Sequence, residues 1–454
     1  MSHGEAAAPK SITTRIVQAA ALIVVFAVLL IATRLVPEKQ SVVGTVAGLG
    51  FLLLAGTLTS ELMEIAGLPH VSGYILAGLV AGPDVLSLID DSTLGGLAPV
   101  NALALALIAL AGGAELEIGM LRSSARSIAW STALQHAIIP IIAFGAFLLL
   151  ARFTPFARLD TMSLVGVALL WGVISATRSP AALLAIIAQV RPAGPLTTFS
   201  VAFVMLSDVV CVILAALVIA FVRPLFDPVA ALSFEDLKHL GFEMVGSVAL
   251  GACLGMGLGA YLKLIGRNRL VVLLAIGFSL SELLRYIQFD ALLSFLVAGF
   301  AVRNFTDQGP KLLEAIERTG AVVFVIFFAV AGAKVDLGLL RSVGIVALAL
   351  CAVRGVGSVV IAKYSSKVAG DPPVLRKWGW SSLVSQAGLS IGLTVVIGRA
   401  FPGIATEFTT LSLACITINQ LIGPIAFKLG LDRSGESGQA VHQEGATVTP
   451  LSQR

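Results

Sequence analysis

Long apolar stretches follow one another along this chain, separated by short polar interruptions. Runs of roughly 20 apolar residues match the length of a helix that crosses a hydrocarbon core. Such spans are read near 16–36, 42–65, 71–82, 99–119, 126–151, 162–190, 196–222, 240–263, 269–289, 290–302, 318–334, 341–363, 376–398 and 404–428. The segments 71–82 and 290–302 are too short to cross alone unless their neighbours extend them. The pattern predicts an all-α integral membrane protein of about fourteen transmembrane helices. Residues 1–15 then form a short N-terminal segment and 16–430 the transmembrane domain. Residues 431–454, rich in Gly, Ser, Gln and Glu without periodicity, form a disordered tail.

Composition supports the bilayer. The chain of 454 residues is 57% apolar and only 12% charged, whereas soluble domains carry about a quarter charged residues. The net charge of +4 gives no sign of a nucleic-acid partner. Basic residues gather in alternate loops, including Lys263/Arg267/Arg269 and Lys363/Lys367/Arg376/Lys377, which places both termini in the cytoplasm. Ile16–Ile31 is long for a signal-peptide core and lacks a good cleavage site, so it is read as an uncleaved first helix. The four cysteines, Cys211, Cys253, Cys351 and Cys415, lie in distant apolar runs and read as core filling. No Cys/His spacing suggests a metal, and the histidines are scattered. Gly251, Gly255, Gly257 and Gly259 mark a closely packed helix, not a nucleotide loop. No cofactor is implied, and no nucleophile–base pair suggests an enzyme.

An internal repeat gives the spans an order. Residues 113–123 (Gly-Ala-Glu-Leu-Glu-Ile-Gly-Met-Leu-Arg-Ser) and 332–342 (Gly-Ala-Lys-Val-Asp-Leu-Gly-Leu-Leu-Arg-Ser) share six of eleven residues at an offset of 219. Leu76-Ala77-Gly78 and Val297-Ala298-Gly299 match at nearly the same offset. Equivalent helices then lie seven spans apart, an odd number, so the second copy enters from the opposite side. This predicts two inverted-topology repeats, about 42–222 and 269–428, joined by a linker helix at about 240–263. In such proteins the site lies where discontinuous helices meet near the midplane.

Both halves carry an interruption at corresponding places. In the first, Ser175, Thr177, Arg178 and Ser179 precede Pro180, which removes a donor and suits the first turn of a new helix. In the second, Ser381, Ser382, Ser385, Gln386 and Gly388 stand together. Asp208 follows in the next span, after Ser207, as the only acid in that run. An intramembrane carboxylate marks an ion or proton path by default, and one carboxylate holds either a proton or a metal ion. Hydroxyls of Thr177 and Ser207 are candidates to complete an oxygen shell around a transported monovalent cation. Arg354, in mid-helix, is expected to pair with a carboxylate or with helix-end carbonyls, and Arg178 to compensate charge at the break. Lys334, Glu115 and Glu117 end their helices and read as snorkelling to the interface. Glu282 and Arg285 read as a local helical pair.

These features resemble the cation:proton antiporter superfamily, nearest its bacterial branch of potassium-efflux systems and sodium/proton exchangers, over about 42–428. The resemblance rests on Leu68-Pro69-His70-Val71-Ser72-Gly73-Tyr74-Ile75-Leu76-Ala77-Gly78, on Ala114-Glu115-Leu116-Glu117 and on Leu296-Val297-Ala298-Gly299. It implies a homodimer in the cell (inner) membrane, crossed discontinuous helices at Thr177–Pro180 and Ser385–Gly388, and Asp208 as ion-binding acid. A basic residue of sodium/proton exchangers falls on Arg354. The chain departs from the family at Ser207, where relatives often carry Asp, Asn or Gln, so electroneutral 1:1 exchange is expected. It departs again at Arg178, where several relatives have a polar or acidic residue. Two functions remain open at this point: exchange of Na⁺, K⁺ or Li⁺ for H⁺ by alternating access, and sodium-coupled uptake of an organic anion held by Arg178.

Overall fold

The computed structural model describes Val24 and residues 42–226, 234–266, 268–287 and 289–439. Apart from Val24, the expected span 16–36 lies outside the described residues. So do the segment 1–15 and residues 440–454 of the expected tail.

The described chain is helical throughout, with no strand. In chain order the helices are α1 (Val42–Ile65), α2 (His70–Ala81), α3 (Asp91–Gly96), α4 (Ala98–Glu115), α5 (Ile118–Ser123), α6 (Ala125–Leu150), α7 (Thr161–Ala176), α8 (Pro180–Val190), α9 (Pro195–Phe226), α10 (Phe234–Leu264), α11 (Arg269–Tyr286), α12 (Ala291–Phe305), α13 (Gly309–Ala333), α14 (Leu337–Ala369), α15 (Pro373–Trp378), α16 (Gly388–Ala400) and α17 (Ala405–Ser434). A 3-10 turn, Gly379–Leu383, follows α15. Among the described residues, eight helices are long and apolar enough to cross a bilayer. A ninth arises if the pair Pro373–Leu383 and Gly388–Ala400, bent by 47°, is counted as one span. Four shorter apolar stretches, within α2, α11, α12 and α13, join them. A count of fourteen spans is not reached on the described residues alone.

Several boundaries differ from the sequence reading, these two among them. Helix α13 starts at Gly309, not 318, because the polar turn holding Lys311 and Glu314 belongs to the same helix. Helix α17 runs to Ser434 and stops at Gly435, whose φ of 78° suits a residue without Cβ. Residues 431–439, assigned by sequence to the tail, are therefore ordered. Glu436 is buried, and its carboxylate accepts from the Leu196 N–H (2.7 Å), the Thr197 N–H (2.8 Å) and the Thr197 hydroxyl (2.7 Å). The carboxylate caps the N-terminus of α9.

The chain divides into two compact units, residues up to 104 with 321–335, and 105–320 with residues from 336 onward. In the first, α1, α2 and the end of α13 pack around Leu52, Ala55, Ala77, Ala81, Ile326 and Ala329. A Cβ on Gly78 would overlap the Ala329 carbonyl, and one on Gly332 the Ile75 carbonyl. In the second unit, a Cβ on Gly299 would overlap the Leu110 carbonyl and one on Gly113 the Leu296 carbonyl. These contacts sit at equivalent positions of the sequence repeat, so the matched glycines serve the same close helix approach in each copy.

The second unit holds the interrupted helices. Its core packs Phe147, Phe156, Trp171 and Phe408 together, with Trp171 edge-on to Phe408 at 6.1 Å between centroids. Asp160 starts α7 by accepting from the N–H groups of Met162 and Ser163. Its carboxyl is held below the usual 3.8, chiefly by the Ser163 side chain. In the span formed by α7 and α8, 94% of the apolar window is buried, so its break is shielded from lipid by protein, as irregular backbone in a membrane requires.

Candidate functional site

Helix α7 ends at Ala176 and α8 begins at Pro180, with Thr177, Arg178 and Ser179 between them. Ser179 is the N-cap, its hydroxyl accepting from the Ala182 N–H at 3.3 Å. Pro180 occupies the first helical position, where its missing N–H is not needed. Thr177 is fully buried, and its hydroxyl is saturated. It donates to the Ile174 carbonyl (2.7 Å), accepts from the Gln386 amide (2.9 Å) and meets the Ser390 hydroxyl (2.6 Å). A hydroxyl has one hydrogen and two lone pairs, so in this conformation Thr177 has none left for a cation.

The second break crosses the first. The Gln386 amide N–H₂ reaches both the Ile174 carbonyl (2.9 Å) and the Thr177 hydroxyl. Its carbonyl accepts from Asn419 on α17 at 2.7 Å. Ser385 stands beside them but turns elsewhere. Its buried hydroxyl has no hydrogen-bond partner among the described residues. It lines a crevice with Ser381, Ser382, Ala182 and Pro424 whose free volume of about 10 Å³ is that of a single water.

Two arginines close the helix ends. Arg354, 4% exposed, leaves α14 and donates to four carbonyls. These are Ser175 (2.8 Å) and Thr177 (2.9 Å) at the first break, and Leu383 (3.1 Å) and Val384 (2.9 Å) at the second. The guanidinium fork thus replaces the intrahelical donors that both interruptions remove. Arg178 is entirely buried. It donates to the carbonyls of Ala176 and Thr177 (3.1 Å to the latter) and to Gln135 Oε1 (3.1 Å). Its Nε–H has no partner among the described residues.

Asp208 lies on α9. Both carboxylate oxygens are shielded from solvent, and neither has a hydrogen-bond partner among the described residues. The charges whose fields reach it are those of Asp290 and Arg178. Asp290 is engaged as the N-cap of α12, accepting from the Leu293 N–H at 2.6 Å. Ser207, also fully buried, bonds to His136 on α6 at 2.9 Å.

Lys334 is exposed just after α13, in the first unit. Glu117 pairs with Arg303 at 2.9 Å, while Asn304 bonds to the Leu116 carbonyl and the Ile118 N–H across the α4–α5 step. The described cysteines are free thiols. No cluster of metal-ligating side chains occurs among the described residues.

Gln135, His136, Ser390 and Asn419 were not singled out from sequence. A signal for the first exists. Ser127, Ser131 and Gln135 recur every fourth residue, so they share one face of α6. That face meets Asp371, Ser365 and the Ser358 carbonyl of α14. The stripe ends at Gln135, which holds Arg178.

The profile of the family described as sodium/hydrogen exchanger, transmembrane, matches residues 49–428. Two solved structures of the sodium proton antiporter MjNhaP1 from Methanocaldococcus jannaschii share the fold. One, determined at pH 8, has a TM-score of 0.61 at 18% identity and covers 88% of this chain and 98% of that one. The other, an electron-microscopy map, has a TM-score of 0.66 at 17% identity and covers 90% and 100%. A search of curated proteins gives no match. With its paired helix breaks and a matched region spanning nearly the whole described chain, the protein belongs to the sodium/hydrogen exchanger family of multi-pass membrane transporters.

Proposed function

We propose that the protein exchanges a monovalent cation, Na⁺ in the first instance, for H⁺ by alternating access, with Asp208 as the group that carries each in turn. The observation that carries this reading is the pair of buried, unpartnered carboxylate oxygens of Asp208. A buried carboxylate without partners is costly, and binding either a proton or a cation removes that cost. The nearby Arg178 does not occupy the carboxylate, since its hydrogen bonds go to carbonyls and Gln135. Ser207 adds an oxygen beside it, and one acid in the span supports 1:1, electroneutral exchange. The family further supports a homodimer in the cell membrane, and the basic loops support cytoplasmic termini.

Sodium-coupled organic-anion uptake is less well supported. It needs a free guanidinium fork for a carboxylate, and Arg178 has three of its five N–H donors committed, two to carbonyls of the break and one to Gln135.

The test is reconstitution in liposomes holding a pH-sensitive dye, with Na⁺, Li⁺ and K⁺ added in turn, with and without a clamped membrane potential. Cation-driven proton movement that ignores the clamp is expected, and its loss in Asp208→Asn with normal folding. Undiminished exchange in that variant would remove Asp208 from the mechanism.

A further inference from the structure

His136, bonded to the residue that precedes Asp208, is left without a task by the exchange reading. It projects from α6 toward α9, is 8% exposed, and lies against the Phe203 ring at 6.3 Å between centroids. Its Nδ1 is 2.8 Å from the Thr132 carbonyl and its Nε2 is 2.9 Å from the Ser207 hydroxyl. These two contacts settle the arrangement of hydrogens in the neutral ring. A carbonyl only accepts, so Nδ1 carries the hydrogen and Nε2 is bare. The Ser207 hydroxyl therefore donates to Nε2.

A serine that has given its only hydrogen away can present nothing but lone pairs to its other neighbours. Beside Asp208, that makes Ser207 an oxygen ligand and never a competing donor. Without the imidazole, the hydroxyl hydrogen would be free to turn onto the carboxylate or onto the carbonyl one helical turn back, as serines in helices do. The turn onto the carboxylate sets a positive end where a cation would sit.

We propose that His136 is a positioning residue for the transported cation, holding the Ser207 hydroxyl with its lone pairs toward the Asp208 site. The inference rests on the exchange reading but is separable from it. His136 touches Ser207 and not the carboxylate, so it acts on cation affinity through a single neighbour.

The experiment is a double-mutant cycle in proteoliposomes, following Na⁺-driven proton movement in wild type, His136→Phe, Ser207→Ala and the double variant, with His136→Gln as the conservative replacement. Phe keeps the ring volume and removes the acceptor. His136→Phe is expected to raise the apparent KM for Na⁺ about fivefold, the scale of one net hydrogen bond, while the maximal rate stays within about twofold. His136→Gln, which retains an acceptor, is expected to restore most of the affinity. In the Ser207→Ala background, His136→Phe is expected to change nothing further. Additive effects in the double variant, or an unchanged KM with lowered stability alone, would overturn the proposal and leave His136 as a packing residue. Should His136→Phe not assemble, His136→Met removes the same acceptor and is read against the same outcomes. A wild type that moves no protons with Na⁺, Li⁺ or K⁺ refutes the exchange reading itself, a result distinct from additivity in the cycle.

Discussion

Replacing Arg354 by alanine should destabilise the fold more than it alters ion handling. The guanidinium supplies donors to the carbonyls of Ser175, Thr177, Leu383 and Val384, two at each helix break. All four lose that donor, but Thr177 keeps a second one from Arg178, so three carbonyls are left without an arginine donor. An unsatisfied buried group costs about 1–3 kcal/mol. Two effects reduce the total. Water entering the vacated volume repairs part of the loss, and removing one cation relieves Arg178, whose field reaches Arg354. The net destabilisation is expected at about 3–5 kcal/mol.

Lysine is not an adequate substitute, because one ammonium cannot span both breaks as a planar fork does. Arg354→Lys should lose roughly half as much stability as Arg354→Ala. The assay is thermal unfolding of the purified protein in mild detergent, paired with proteoliposome exchange. Asp208→Asn serves as the opposite control, since it removes a buried charge and should unfold at or above the wild-type temperature. If Arg354→Ala melts like wild type yet abolishes exchange, the arginine acts on the ion and not on the carbonyls. The reasoning would then be wrong.

Two further outcomes follow from packing. Gly299→Val drives a side chain into the Leu110 carbonyl, a backbone atom that cannot step aside. It is expected to cost about 3 kcal/mol or to prevent assembly. Gly257→Ala, with nothing within 4 Å of the new methyl, should be neutral or stabilise by up to about 1 kcal/mol. Glu436→Ala frees two N–H groups and a hydroxyl at the start of α9 and should lower stability by about 2–3 kcal/mol. Glu436→Gln should recover part of that, and equal melting of wild type and Glu436→Ala would deny the cap.

What was legible in the sequence had one-dimensional causes. Pro180 and Gly388 announce the breaks because each alters the backbone by itself, and Asp208 stands out because it is the one acid in an apolar run. Arg354 could be expected to pair with a carboxylate or with helix-end carbonyls because a mid-span cation must find oxygen atoms, and the structure shows the carbonyls. The remainder depends on how helices rotate against one another. Thr177 reads as a cation ligand, and only the structure brings Gln386 and Ser390 to its hydroxyl. Gln135 and His136 look like ordinary interhelical glue until α6 is seen to turn one toward Arg178 and the other toward Ser207. Lys334 aligns with Glu115 in the repeat and is exposed. Glu436 reads as part of a featureless tail, since nothing local reveals that the N-terminus of α9 lies within reach.

The charge inventory of the site bears on stoichiometry. Arg178 and Arg354 are tied to carbonyl oxygens at the breaks, and their charges remain whichever cargo is bound. In the proposed exchange the group that changes partners is Asp208, and a proton or a monovalent cation each cancels its single negative charge. The loaded site would then carry the same total charge in both directions of the cycle. Rocking it across the membrane then moves equal charge inward and outward, and a membrane potential has nothing net to act on. A second titrating acid at position 207 would break that equality. Ser207→Asp is thus the substitution by which an electroneutral exchanger of this design would become sensitive to voltage.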